Sequence, residues 1–97
     1  MNKDRKLSAS EISERLGALD GWTVDGDRLH RSLTFPDFAS AFGFMTTVAL
    51  IAEQLGHHPD WHNVYNRVDV YLTTHDCGGI SERDFELAAR IDQIPTP

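Results

Sequence analysis

Apolar positions along the chain switch repeatedly between a helical and an alternating period. Ser8 and Glu11 have capping-box spacing, and Ile12 and Leu16 then fall on one face of a short helix that Gly17 can end. Trp22 to Val24 is a brief strand candidate. Asp25-Gly26 marks a hairpin, because glycine accepts the positive φ of a tight turn. The return strand, Leu29 to Phe35, places Leu29, Leu33 and Phe35 on one side and His30, Ser32 and Thr34 on the other. Pro36 and Asp37 open the longest helix, with Asp37 as its N-cap and Gly56 at its end. This helix carries two apolar stripes, Phe38, Phe42, Met45, Ala49 and Ala52, then Ala41, Phe44, Val48, Ile51 and Leu55. One stripe suffices to lie on a sheet. The second predicts another covering surface, from a neighbouring helix or a second subunit. Gly43 costs roughly 1 kcal/mol against alanine in mid-helix, which points to close approach of another element there.

After His57-His58-Pro59, the pattern predicts a strand near Trp61 to Tyr65, a turn around Asn66 and a second strand, Arg67 to Thr74. In that second strand Val68, Val70 and Leu72 alternate with Asp69, Tyr71 and Thr73, and His75 shares the polar parity. Cys77-Gly78-Gly79 is a loop. Ser81 and Asp84 have N-cap and third-position spacing for a last helix, with Leu87, Ala88, Ile91 and Ile94 as its buried stripe. The order α-β-β-α-β-β-α predicts an α+β fold, a four-stranded antiparallel sheet with helices packed on one face. No repeat, linker or low-complexity run divides the chain, so residues 1–97 read as a single domain, with the polar residues 1–7 expected to fray.

Composition narrows the function classes. A chain of 97 residues buries only about 60–65% of the surface its unfolded form exposes, so its own core is marginal. Cys77 is the one cysteine, which excludes an internal disulfide, and no Cys/His cluster has structural-zinc spacing. Self-association is the expected further source of stability. The net charge of −6 disfavours direct binding to nucleic acid or an anionic membrane. The apolar stretch Phe38 to Leu55 is interrupted by Ser40, Thr46, Thr47, Glu53 and Gln54, and falls short of a span of about 20 apolar residues. Met1 to Ser10 lacks the apolar segment of a secretory signal, and with one free thiol this fits a cytoplasmic location.

Five histidines carry the candidate chemistry. His57 and His58 follow the C-terminal end of the long helix, where the helix dipole favours a protonated imidazole by about 0.3–1 kcal/mol. Glu53 lies one turn before His57, close enough to orient it. Pro59 biases His58 toward extended backbone, so the pair sits on a stiff corner. Such imidazoles suit proton donation to a leaving hydroxyl. Each feature has a plainer reading: a His-His pair can be capping or surface polarity, and His75 merely a strand end. His62 and His30 can be solvent-facing strand residues, Asp84 a helix-start residue, Trp22 and Trp61 core or interface aromatics, and Cys77 a packed loop residue. A metal reading would use His57, His58, His62 and His75 with Asp60, but the spacing fits no zinc motif.

The run Phe42-Gly43-Phe44-Met45-Thr46, with Val48-Ala49-Leu50, Ala52-Glu53 and His57-His58-Pro59, resembles the pterin-4a-carbinolamine dehydratases, also known as dimerisation cofactors of a homeodomain transcription factor. The resemblance continues through Trp61, Asn63-Val64-Tyr65-Asn66, Val68, Thr74-His75, Gly79 and Ser81-Glu82-Arg83-Asp84. It implies the same α+β layer and a homodimer or homotetramer. It also implies dehydration of 4a-hydroxytetrahydrobiopterin, or an analogous pterin, to the quinonoid dihydropterin. That step recycles the cofactor of aromatic amino acid hydroxylases without metal or bound cofactor. By the same resemblance His57 and His75 are the acid/base groups on the two ring faces, and His58 binds the pterin and assists. Glu53 and Asp84 orient or charge the imidazoles, Trp22 walls the pocket, and Pro59 and Trp61 support the site. His62 departs from the family pattern, which often has an aromatic there, and either rims the site or is exposed. Two rival readings remain. One is a module that stabilises a partner's dimeric helix bundle, which needs a eukaryotic transcription-factor partner. The other is a divergent relative with an assembly role, in which one of the three histidines should be missing.

Overall fold

The computed structural model describes residues 3–96. Its elements follow the predicted order: α1 (Ala9–Leu16), β1 (Thr23–Asp25), β2 (Arg28–Thr34), α2 (Phe38–Leu55), β3 (Asp60–Val64), β4 (Arg67–Leu72) and α3 (Glu82–Asp92), with a 3-10 turn at His75–Cys77. The helix starts have the chemistry read from the sequence. Ser8 with Glu11 and Ser81 with Asp84 form complete capping boxes, and the Asp37 carboxylate accepts from the Ser40 N–H. The first hairpin turns one residue later than expected, on Gly26-Asp27, with Gly26 at φ 64° and Asp25 opposite Arg28. The second turns on Tyr65-Asn66. Tyr65 holds φ 50°, a costly conformation for a bulky residue, because its neighbours fix it. Asn63 Nδ2 donates to the Tyr65 and Arg67 carbonyls, and Asn66 Nδ2 donates to the Phe35 carbonyl.

The antiparallel sheet has the order β1-β2-β4-β3. Leu29 pairs with Leu72 and Leu33 with Val68, while Trp61 pairs with Val70. Cross-strand partners share a face, so these side chains make one apolar surface. Ala41, Phe44 and Val48 of α2 and Leu87, Ala88 and Ile91 of α3 complete the core over it. Truncating a fully buried side chain such as Leu29 to alanine should cost about 2–5 kcal/mol. The other face is polar and ordered: His30 stacks on Tyr71 with centroids 4.4 Å apart, and the Arg28 guanidinium lies 4.0 Å from the same ring.

Two expectations are narrowed within this chain, and two need correction. Within this chain only one α2 face is covered, with Ala41, Phe44, Val48 and Ala52 buried and Phe38, Phe42 and Leu50 exposed, which leaves a second subunit as the remaining expected cover. A Cβ at Gly43 would meet nothing within 4 Å, so among the described residues no element approaches it closely. By length and composition alone α2 is long and apolar enough to cross a membrane, at 18 residues and mean hydropathy 1.3, despite its polar interruptions. Its Ala41-Phe44-Val48 face is nevertheless committed to the sheet, as in the core helix of a globular domain. Finally, residues 3–7 do not dangle. Lys3 pairs with Glu86 at 2.8 Å, Arg5 pairs with Glu11, and buried Leu7 donates its N–H to the Ile80 carbonyl at 2.8 Å. Met1 and Asn2, also expected to fray, lie outside the described residues.

Candidate active site

The end of α2 fixes the first imidazole. Gly56 adopts the left-handed conformation, φ 64°, its N–H donates to the Glu53 carbonyl, and the His57 N–H reaches back to the Ala52 carbonyl at 3.1 Å. This Schellman arrangement turns the chain sharply off the helix axis. It points residue 57 toward α3, where His57 Nε2 lies 2.6 Å from Asp84 Oδ1. Asp84 is fully buried and the His57 side chain only 11% exposed.

Asp84 is held from every side. Its Oδ2 accepts from Thr74 Oγ1 at 2.8 Å and from the Ser81 N–H at 2.9 Å, and Thr74 Oγ1 meets Ser81 Oγ at 2.6 Å. Its helix-capping role and its approach to His57 therefore use different oxygens of one carboxylate. Among the described residues no buried side-chain nitrogen or oxygen lacks a partner. Thr74 was not singled out for a role by sequence reasoning. The available signal was its parity: it continues the buried series Val68, Val70, Leu72, and a polar residue at an inward position must find a hydrogen-bond partner.

The remaining candidates distribute unevenly. His58 Nε2 lies 2.7 Å from Glu53 Oε1, so Glu53 meets His58 and not His57; both side chains are mostly exposed. His75 sits in the 3-10 turn beyond β4, 80% exposed, its Nε2 3.6 Å from Asp60 Oδ2. His57, His58 and His75 nonetheless line one cleft of about 370 Å³, together with Pro59, Asp60 and Thr74. A volume of that size falls in the range of small-molecule sites. Cys77, at the end of the same 3-10 turn, is half-buried and does not line the cleft, its Sγ lying 3.5 Å from the Thr74 carbonyl.

Trp22 does not wall this cleft. Its ring is buried in the core and its Nε1–H donates to Asp92 Oδ1 at 2.7 Å, because the residue enters β1 on the side facing α3. Trp61 packs against the core from β3 and does not line the cleft either. His62 pairs across the sheet with Asp69 and is exposed, away from the other three imidazoles. His30, expected to face solvent freely, is half-buried, 2.9 Å from Asp69 Oδ1. That hydrogen bond is the main reason the Asp69 carboxyl is held below its usual range, with Arg67 adding to it and partial burial opposing it. Among the described residues, no group of three or more His, Cys, Asp or Glu is placed to hold a metal ion.

Fold and cleft together define a small α+β protein with a buried His-Asp pair at a helix end and two further imidazoles around the same opening. A model of the pterin 4 alpha carbinolamine dehydratase family matches residues 5–94, and the chain belongs to that family. Relatives provisionally named pterin-4-alpha-carbinolamine dehydratases include one from Solibacter usitatus, 55% identical over 92% of this chain and 94% of its own length. Another, from Burkholderia vietnamiensis, is 56% identical over 92% of this chain and 89% of its own. A crystal structure of a transcriptional coactivator/pterin dehydratase from Brucella melitensis superposes with a TM-score of 0.86 at 52% identity, covering 90% of this chain and 95% of that one. A pterin dehydratase-like protein identified as a RuBisCO assembly factor in the alpha-carboxysome superposes at 0.63 with 25% identity, over 75% of this chain and 87% of its own.

Proposed function

We propose that this protein dehydrates 4a-hydroxytetrahydropterin to the quinonoid dihydropterin, recycling the cofactor of aromatic amino acid hydroxylases by histidine acid/base catalysis. The observation that carries the reading is the convergence of His57, His58 and His75 on one cleft from two separated stretches of chain. The reaction needs only proton transfers. The C4a hydroxyl takes a proton and leaves as water, the N5 lone pair forms the C4a=N5 double bond, and the N5 proton passes to a base. Asp84 engages His57 at Nε2, which leaves Nδ1 for the substrate, and the carboxylate stabilises the imidazolium when the ring holds a proton. Glu53 does the same for His58 in a wetter setting. His75 supplies the second acid/base group from the turn after β4. No metal or bound cofactor takes part, and the pterin is itself the substrate.

The exposed Phe38-Phe42-Leu50 face of α2 supports a homodimer or homotetramer, and the single free Cys77 supports a cytoplasmic setting. An assembly role, as in the carboxysomal relative, is the weaker reading, because all three histidines are present here. The purified protein without added metal should accelerate decay of the 4a-hydroxypterin absorbance at neutral pH. A rate equal to the uncatalysed one overturns the proposal.

A further inference from the structure

Thr74 links the two acid/base histidines. Its main chain closes the turn that carries His75: the Thr74 N–H donates to the Gly79 carbonyl at 2.8 Å, and the Thr74 carbonyl accepts from the N–H groups of Cys77, Gly78 and Gly79. Its side chain belongs to the buried network behind His57. Thr74 Oγ1 donates to Asp84 Oδ2 at 2.8 Å, and Asp84 Oδ1 meets His57 Nε2 at 2.6 Å. One residue thus joins the His75 turn to the carboxylate that holds His57.

The proton directions in this network follow from counting donors. A hydroxyl has a single proton. Thr74 gives its own to Asp84, so the 2.6 Å contact between Thr74 Oγ1 and Ser81 Oγ uses the Ser81 proton. Ser81 Oγ in turn accepts from the Arg83 N–H at 3.2 Å, as the N-cap of α3. Asp84 Oδ2 has both Thr74 Oγ1–H and the Ser81 N–H as donors, which leaves Oδ1 to accept from a His57 Nε2–H. The chain from Ser81 through Thr74 and Asp84 to His57 therefore runs in one direction, and Ser81, Thr74 and Asp84 are all buried. Bonds in such a chain polarise one another, so removing one member weakens the next.

We propose that Thr74 is a positioning residue for the dehydration that fixes the spacing of the two acid/base groups. Its hydroxyl, oriented by Ser81, locks Asp84 behind His57, and its main chain anchors the His75 turn. This inference rests on the dehydratase reading above. In this role the hydroxyl touches Asp84 rather than the pterin, so its loss falls on the chemical step and not on binding.

Three variants test this. Thr74→Val keeps the shape and removes the hydroxyl, Thr74→Ser keeps the hydroxyl, and Ser81→Gly removes the outer donor while leaving a residue that helix N-caps tolerate. Steady-state kinetics, urea unfolding and the proton NMR signal of His57 Nε2–H are read for each. In the unsubstituted protein that proton lies in a buried bond and should exchange slowly with water. Thr74→Val should lower kcat about tenfold with KM within about threefold, and bring the signal into fast exchange, because a loosely held ring is less often in reacting geometry. Thr74→Ser should recover kcat to within about threefold and restore the signal. Ser81→Gly should lower kcat about threefold. Thr74→Val should add nothing in the His57→Ala background, since both changes act through one ring. Unchanged kcat and signal in Thr74→Val, with only the unfolding midpoint lowered, overturn the inference. So does a rise in KM alone, or a kcat loss of equal size in the His57→Ala background. Should Thr74→Val fail to fold, unaltered kcat and signal in Ser81→Gly overturn it instead. If the unsubstituted protein shows no turnover, the dehydratase reading falls and this inference with it; normal turnover with unchanged kcat in the variants removes this inference alone.

Discussion

Two neighbouring histidines form imidazole–carboxylate pairs of nearly equal length in very different surroundings. His57 meets Asp84 at 2.6 Å with side chains 11% and 0% exposed; His58 meets Glu53 at 2.7 Å with side chains 62% and 79% exposed. Water screens the second pair and lets both partners move, so it is worth about 0.2–1 kcal/mol and holds its ring loosely. The first is fixed by Thr74 and the Ser81 N–H, and it works where little water competes. Geometry at the contact is thus a poor guide to role. The shell behind the carboxylate decides how firmly each imidazole is held.

The strongest test of this contrast is kinetic. His57→Ala should lower kcat about 10²–10⁴-fold, the usual share of a positioned acid/base group. His58→Ala, whose ring is loosely held, should lower it less than about tenfold and act mainly on KM. Equal losses in kcat would erase the distinction.

Removing the carboxylates separates the pairs by stability. Asp84→Ala strips Thr74, the Ser81 N–H and His57 of a shared buried partner and should cost about 3 kcal/mol or more, measured by denaturant unfolding. Glu53→Ala should cost less than about 1 kcal/mol. A similar small loss in both would show that the buried network contributes nothing to the fold.

The smallest expected effect comes from a third pair on the outer sheet face, His30 with Asp69. The Asp69 carboxyl is held below its usual range, so its contribution to stability is fully present above the unfolded value of about 3.9 and lost as pH falls through the lower folded value. Asp69→Asn should therefore lower stability by about 1 kcal/mol or less at neutral pH, with the gap to the unsubstituted protein closing in acid. Turnover should be unaffected, because neither residue lines the cleft. A gap that widens in acid would contradict the sign of this shift.

Local chemistry was written plainly in the chain. The capping boxes at Ser8 and Ser81, the Asp37 N-cap, the Gly56 stop and the alternation of Val68, Val70 and Leu72 each depend on residues within one or two turns of each other. They therefore specified element order and the α+β layer. The motif around His57-His58-Pro59 likewise pointed to the family before any fold was seen. Contacts between elements were not legible in that way. Whether Trp22 faced the cleft or the core depended on where the residues before β1 meet α3, and its Nε1–H found Asp92, 70 residues away. Glu53 was within helical reach of His57, but the left-handed Gly56 swings that ring toward Asp84 and leaves Glu53 to His58.

The amino-acid sequence by itself determined which residues form helices and strands and which side chains could exchange protons, because those properties are short-range. Tertiary structure alone decided which carboxylate serves which imidazole and which of those pairs is shielded from water. Both depend on packing between segments far apart along the chain, where small differences in direction separate a buried contact from an exposed one.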